Sequence, residues 1–115
     1  MFVVSFFRTA AGNEPVREWL RSLLPEERRM IGLDLRAVQI GFPLGMPLCR
    51  PLGEGIYEVR SSLPTRKEAR LLFFQAGMGE LVIVAGFIKK TRRTPPDQMD
   101  LAVTRKRDFE RGGGG

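Results

Sequence analysis

The sequence contains no histidine and a single cysteine, Cys49. Without histidine, imidazole cannot serve as a base, an acid or a metal ligand, and one cysteine forms neither an internal disulfide nor a Cys/His zinc cluster. No apolar run approaches the roughly 20 residues of a membrane-spanning helix, and the apolar start of the chain is too short for a signal peptide. We therefore expect a cytoplasmic protein that needs no membrane, metal or cofactor.

Acidic residues are also scarce. The chain has 13 Asp and Glu against 19 Lys and Arg, a net charge of +6 in 115 residues, and no acidic residue lies between Leu81 and Asp97. This interval contains the sequence Lys-Lys-Thr-Arg-Arg at 89–93, directly after an apolar run that is typical of a buried strand. Cations held at a strand end indicate contact with a polyanion, and nucleic acid is the first candidate.

The first half of the chain predicts one strand and two helices. Residues 2–8 are β-branched and aromatic, which favours a strand, and Asn13 is placed to cap a helix that has Pro15 in its first turn. Helical spacing predicts that this helix buries Val16, Trp19, Leu20, Leu23 and Leu24. Pro25 begins a second helix, which ends at Gly41 and has the apolar positions Met30, Leu33, Ala37 and Ile40.

The second half predicts a meander and a last helix. Glycine and proline are frequent from 42 to 55, which indicates an irregular connection. Strands at 56–62, 69–75 and 80–88 are separated by short gaps, so they should run antiparallel, with one of Phe73 and Phe74 in the core and the other outward. Thr94 and Pro95 are typical of a capped helix start, and the apolar face of that helix is Met99, Ala102, Val103 and Phe109.

The predicted order is β-α-α-β-β-β-α. It indicates an α+β fold with the helices against one face of a small, largely antiparallel sheet. Residues 1–111 are long enough for one domain with its own core. The four glycines at 112–115 are expected to form a disordered tail.

This element order, together with the sequence of the sheet, resembles a known family. The likeness is carried by PLGEGIYEVR at 51–60, ARLLFF at 69–74, GFIKKT at 86–91 and TP at 94–95. In that family an acidic-apolar-Arg triplet ends one strand, an Arg opens the next, and a Gly-Phe-x-Lys-Lys segment precedes the last helix. Over about residues 14–107 the chain resembles the RelE/HigB superfamily of bacterial toxins, in its phage-derived HigB-like branch.

The resemblance implies a RelE-like fold and a specific activity. It implies the toxin of a type II toxin–antitoxin module, an endoribonuclease that cuts mRNA on the translating ribosome. The implied partners are mRNA, the ribosome and a cognate antitoxin, often a helix-turn-helix protein, which binds the toxin in a hetero-oligomeric complex.

Two arginines are the leading catalytic candidates. RNA cleavage without a metal needs a base at the 2′-hydroxyl, an acid at the departing 5′-oxygen, and cations at the phosphate. Arg60 lies near the end of one strand and Arg70 at the start of its hairpin partner, so both should lie at the same end of the sheet. In the family the arginine that matches Arg70 belongs to the active site, which makes Arg70 the first candidate and Arg60 the second.

The remaining candidates surround this pair. One of Lys89 and Lys90 should share its concavity, with the sequence leaving open which one, and a lysine crowded by cations could act as a base. Glu58 is the alternative base. Because Pro95 and Pro96 remove backbone donors from the last helix, RNA contacts are expected from side chains: Thr91, Arg92, Arg93, Thr94 and, unless it is packed in the core, Phe87.

Other interpretations fit the same residues. Arg60 and Arg70 could simply pair with Glu58, Glu68 or Asp34 on a half-exposed sheet. The family often places a tyrosine or histidine near the last helix, and this chain has neither there. A non-catalytic nucleic-acid-binding or antitoxin-binding module derived from such a toxin is therefore the alternative, and a purely structural phage protein is a third possibility.

Overall fold

The computed structural model describes residues 1–43 and 48–112. Within them the elements are β1 (Val3–Phe6), α1 (Pro15–Arg21), α2 (Pro25–Gly41), β2 (Cys49–Gly53), β3 (Ile56–Ser62), β4 (Glu68–Ala76), β5 (Glu80–Ile88) and α3 (Pro96–Arg111). One sheet has the order β1-β5-β4-β3-β2, in which β1 is parallel to β5 and the other neighbours are antiparallel. The predicted α+β fold and its meander are confirmed.

The helices cover both faces of this sheet, so the prediction that they share one face is wrong. On one face Leu71, Phe73 and Ile83 pack with α1 and α2, and on the other Leu72 and Phe74 pack with α3. Phe73 and Phe74 are consequently both buried, and neither points outward as expected. The central strands are apolar on both sides because both sides are covered.

The first helix is shorter than its apolar stripe predicts. Glu14 and not Asn13 is the N-cap of α1, and the helix ends at Arg21, before Leu23 and Leu24. Leu24 instead precedes Pro25 in an extended conformation and is exposed. A proline disfavours helical geometry in the residue before it, which explains the break.

The buried face of α2 also differs from the predicted one. Leu33 and Ile40 are exposed, whereas Ile31 and Val38 are buried. The buried face includes two carboxylates that bond to β3 and to the turn after it: Ser61 Oγ donates to Asp34 Oδ2 at 2.5 Å, and Thr65 Oγ1 donates to Glu27 Oε2 at 2.6 Å. These polar anchors fix the rotation of α2, and an apolar pattern cannot reveal them.

Strand β2 lies inside the region that was predicted to be irregular. It pairs with β3 across a turn in which Gly53, Glu54 and Gly55 all have positive φ. Of the predicted connection, residues 44–47 lie outside the described residues. So do residues 113–115 of the predicted tail, while Gly112 ends α3 by donating its N–H to Asp108.

A β-bulge in β5 changes which side chains share a face. The register with β4 shifts after Leu72, so that Ala85 pairs with Leu72 but Ile83 pairs with Phe73, leaving Val84 as the extra residue. Val84 and Ala85 both contribute to the core beneath α3. Beyond the bulge, alternation places Phe87 on the same face as its pair Arg70, and predicts the same face for Lys89.

Within the described ranges, no helix is long and apolar enough to cross a membrane. In the same residues no group of three or more His, Cys, Asp and Glu side chains is arranged to hold a metal ion.

Candidate functional site

A buried glutamate, Glu58, lies at the centre of the candidate site. It is on the α3 face of β3 and is 2% exposed. Its Oε1 accepts a hydrogen bond from Arg50 Nε at 3.1 Å, and its Oε2 accepts one from Thr94 Oγ1 at 2.7 Å. Thr94, which precedes α3, therefore donates to Glu58 and does not cap the helix, whose N-cap is Pro95. This bond ties the start of α3 to β3.

Strand register brings three arginines to this carboxylate. Arg50 pairs with Glu58 between β2 and β3, and Arg60 pairs with Arg70 between β3 and β4. Arg70 Nε lies 3.7 Å and Arg60 Nε 4.0 Å from Glu58 Oε1. Like charges that face each other across strands repel, so the carboxylate compensates for the Arg60–Arg70 pair. The prediction that these two arginines share one end of the sheet is confirmed.

The guanidinium groups differ in their exposure. Arg50 and Arg60 are 47% and 46% exposed, whereas Arg70 is only 3% exposed. Arg70 Nη1 donates to the Ala69 carbonyl at 3.2 Å and Nη2 lies 3.1 Å from Glu68 Oε1. The two outer arginines are thus open to a ligand, while Arg70 is covered and held by carboxylates. Arg70 stays a predicted phosphate contact, and in the structure its guanidinium is covered and lies beside Glu58 and Glu68.

A basic cleft adjoins the cluster. It has a volume of about 570 Å³ and lies between the β3–β4 turn and the chain that leaves β5. Its lining contains five cationic side chains and one acidic one, Glu68; the cationic residues are Arg66, Lys67, Lys89, Lys90 and Arg92. A concave surface with this charge raises the local concentration of anions and favours their binding.

The structure favours Lys89 over Lys90 as the lysine that shares the arginine face. The Lys89 N–H donates to the Glu68 carbonyl at 2.7 Å, which continues the pairing of β4 and β5 by one step. Glu68 and Arg70 are two residues apart on β4 and share a face, so the residue opposite Glu68 belongs to that face. The alternative that the sequence left open is therefore decided by the bulge.

Comparison with family models gives one match. Residues 18–107 match the model described as "Gp49: Phage derived protein Gp49-like (DUF891)". The chain belongs to the Gp49-like family. This family is associated with toxin–antitoxin toxins of RelE/HigB type. A comparison with curated proteins finds no significant match.

Several predicted RNA contacts of this Gp49-like protein have partners within the chain. Phe87 is buried beneath α3, so the packed alternative applies. Thr91 Oγ1 donates to the Arg93 carbonyl at 2.9 Å. Arg92 lines the cleft, and Arg93 is exposed beside it in the chain. The role of Glu58 as a base stays a prediction. In the structure each of its oxygens accepts a hydrogen bond, and the side chain is buried.

Sequence reasoning missed three cations of the site. Arg50 was missed because the region of β2 was interpreted as an irregular connection. The Gly-Glu-Gly sequence before the predicted strand 56–62 is typical of a hairpin turn and could have indicated β2. Arg66 and Lys67 lie in the turn between the predicted strands 56–62 and 69–75, where no site residue was predicted. The antiparallel order of β4 and β5 already required that turn to lie beside residues 89–92, which could have revealed both.

Cys49 lies in β2 on the other face of the sheet. Burial, followed by the negative charge of Glu58, raises the pKa of its thiol to about 11. The thiol therefore stays protonated at neutral pH and is a poor nucleophile.

Proposed function

We propose that this Gp49-like protein is the toxin of a type II toxin–antitoxin module and cleaves mRNA on the ribosome. The observation that carries the proposal is the convergence of Arg50, Arg60 and Arg70 on one face, next to a cleft with five further cations. Family membership supports it independently. The proposed partners are mRNA, the ribosome and a cognate antitoxin, in the cytoplasm.

In this proposal the exposed arginines stabilise the negative charge of the RNA phosphate. Arg60 and Arg50 contact the scissile phosphate and stabilise the charge that develops on its oxygens, because a guanidinium matches a phosphate with two parallel N–H donors. Lys89 supplies a further cation, or the base that removes the 2′-hydroxyl proton. Arg70 positions Glu58, and Glu58 holds the outer arginines in register.

A second candidate is a non-catalytic RNA-binding module. It is favoured by the burial of Arg70 and Glu58, which are 3% and 2% exposed and so have little contact with solvent or a ligand. Such a module would keep the basic cleft and bind RNA without cutting it.

Expression of the unpaired chain followed by primer extension on cellular mRNA separates these functions. The toxin should arrest growth and leave cut sites that depend on translation. Arg60→Ala should reduce cleavage by roughly 10²- to 10³-fold, as expected for the loss of one transition-state donor. Arg36→Ala, which removes an exposed arginine on α2, is the matched control and should leave cleavage unchanged.

The outcomes are distinct. If the induced wild-type chain leaves translation and mRNA intact, the nuclease proposal is wrong. RNA binding without any cut sites would favour the second candidate. Equal losses in Arg60→Ala and Arg36→Ala would show that total charge matters and not the arginine cluster.

A further inference from the structure

Glu68 is the solvent-exposed partner of the buried Arg70. Its Oε1 lies 3.1 Å from Arg70 Nη2, while its own side chain is 54% exposed. The pair therefore joins a buried cation to a carboxylate in contact with solvent. Because this carboxylate is exposed, water screens its attraction to Arg70.

Arg70 has unused capacity to bind an anion. Its Nε is buried and has no hydrogen-bond partner in the described part of the chain, since Glu58 Oε1 is 3.7 Å away. Buried donors are nearly always satisfied, so an orphan on a buried guanidinium suggests a missing acceptor. A phosphodiester offers more acceptor oxygens than a carboxylate and suits the planar fork of arginine.

Glu68 lines a cleft that contains further cations. It is the one acidic side chain in the lining of the basic cleft, which also contains Lys89 and Lys90. Its backbone carbonyl accepts the hydrogen bond from the Lys89 N–H. A change of side-chain rotamer, without movement of the strand, would exchange the Arg70 contact for one in the cleft.

We propose that Glu68 closes a phosphodiester-binding site at Arg70, and that a phosphate of bound RNA opens it by displacing the carboxylate. The inference rests on the proposed function for the identity of the ligand. With Glu68 in place, the three arginines face two carboxylates, Glu58 and Glu68. Displacement leaves Glu58 as the one carboxylate beside them, and the negative charge of the phosphate replaces that of Glu68 at Arg70. Glu68 thus keeps Arg70 neutralised until a competing anion arrives.

Binding of a short, labelled single-stranded RNA, measured by fluorescence anisotropy at low ionic strength, tests this site. Glu68→Gln should bind about two- to five-fold more tightly than the wild type, the range expected when one exposed ion pair no longer competes. Glu110→Gln is the matched control. It removes the same charge from a side chain that is 55% exposed and pairs with Lys106 at 2.9 Å, but it lies near Gln75 and Gly77, toward the other end of β4.

A double variant tests whether the gain in RNA affinity depends on Arg70. In an Arg70→Met background, Glu68→Gln should improve binding no more than Glu110→Gln does. Should Arg70→Met fail to fold, Arg70→Lys serves instead, because it keeps the charge but loses the fork, and the gain should again shrink. Circular dichroism of each variant checks the fold.

Three results would overturn the proposal: equal affinities of Glu68→Gln and the wild type, a gain that persists without Arg70, or the absence of RNA binding in every variant. Primer extension in cells tests the nuclease activity separately. If the chain cleaves mRNA but its RNA affinity does not change in Glu68→Gln, this inference is wrong and the proposed function stands.

Discussion

Each face of the sheet is associated with one buried glutamate, and the two are satisfied in different ways. Glu27 of α2 and Glu58 of β3 are both 2% exposed. Glu27 accepts hydrogen bonds from neutral donors, the Thr65 hydroxyl at 2.6 Å and the Leu24 N–H at 3.0 Å. Glu58 accepts one from the Thr94 hydroxyl but is otherwise surrounded by arginines.

This difference separates a structural face from a charged one. Both hydrogen-bond donors to Glu27 are neutral, and they anchor α2 to the rest of the fold. Three arginines around one carboxylate leave a surplus of positive charge, and Arg50 and Arg60 present it at the surface. A cluster of this kind costs desolvation energy and suggests a use beyond stability.

Glu58→Gln should give the largest effect on stability. It keeps the size of the side chain but leaves the buried Arg70 with Glu68 as its remaining carboxylate, and breaking a buried ion pair typically costs about 3–5 kcal/mol. Urea unfolding monitored by circular dichroism measures the change. The same substitution at the exposed Glu110 should cost less than about 1 kcal/mol.

A loss at Glu58 no larger than that at Glu110 would contradict the comparison. It would mean that Glu58 does not stabilise the fold through the arginine cluster, and that water solvates the charge of Arg70 instead.

Gly86→Ala tests how tightly the opposite face is packed. A Cβ at Gly86 would lie 2.8 Å from the Trp19 ring, so α1 must shift, at a cost of about 1–3 kcal/mol. Gly32→Ala on α2 is the control, because its Cβ meets nothing within 4 Å. That change should stabilise by about 0.5–1 kcal/mol through helix propensity. Thermal unfolding of both variants should therefore move in opposite directions, and a shared direction would show that Trp19 does not constrain β5.

Acid titration should give the smallest effect and bears on Glu27. The Thr65 hydroxyl, and then the Leu24 N–H, lower the pKa of Glu27 below its ordinary value of 4.5. A lowered folded-state pKa stabilises the fold above about pH 4.5, and this contribution is lost as the pH falls through the folded value. The stability difference between wild type and Glu27→Gln should be constant above this range and shrink below it. A difference that does not change down to acidic pH would rule out the lowered pKa.

The fold was largely predictable because its main signals are local. Apolar runs and the turn residues between them predicted the bounds of β3 and β5 correctly, and Pro25 marked the start of α2. The errors fell where distant contacts override local pattern. Hydrogen bonds to Asp34 and Glu27 hold a face of α2 that is polar in sequence against the rest of the fold. Strand β2 forms because it pairs with the edge of β3.

The site was predictable in its membership more than in its geometry. Arg60, Arg70 and residues 89–92 lie at one end of the sheet as expected. The burial of Arg70 and the use of Thr94 by Glu58 depend on α3 covering that face, which no local pattern records.

The sequence alone determined that a basic α+β domain carries cations at strand ends, since charge, periodicity and turn residues act over a few positions. Tertiary structure alone decided which cations meet. The bulge at Val84 reverses the alternation of β5 and brings Lys89, not Lys90, to the face of Arg70. Because a side chain changes face with every residue, one inserted position decides this assignment.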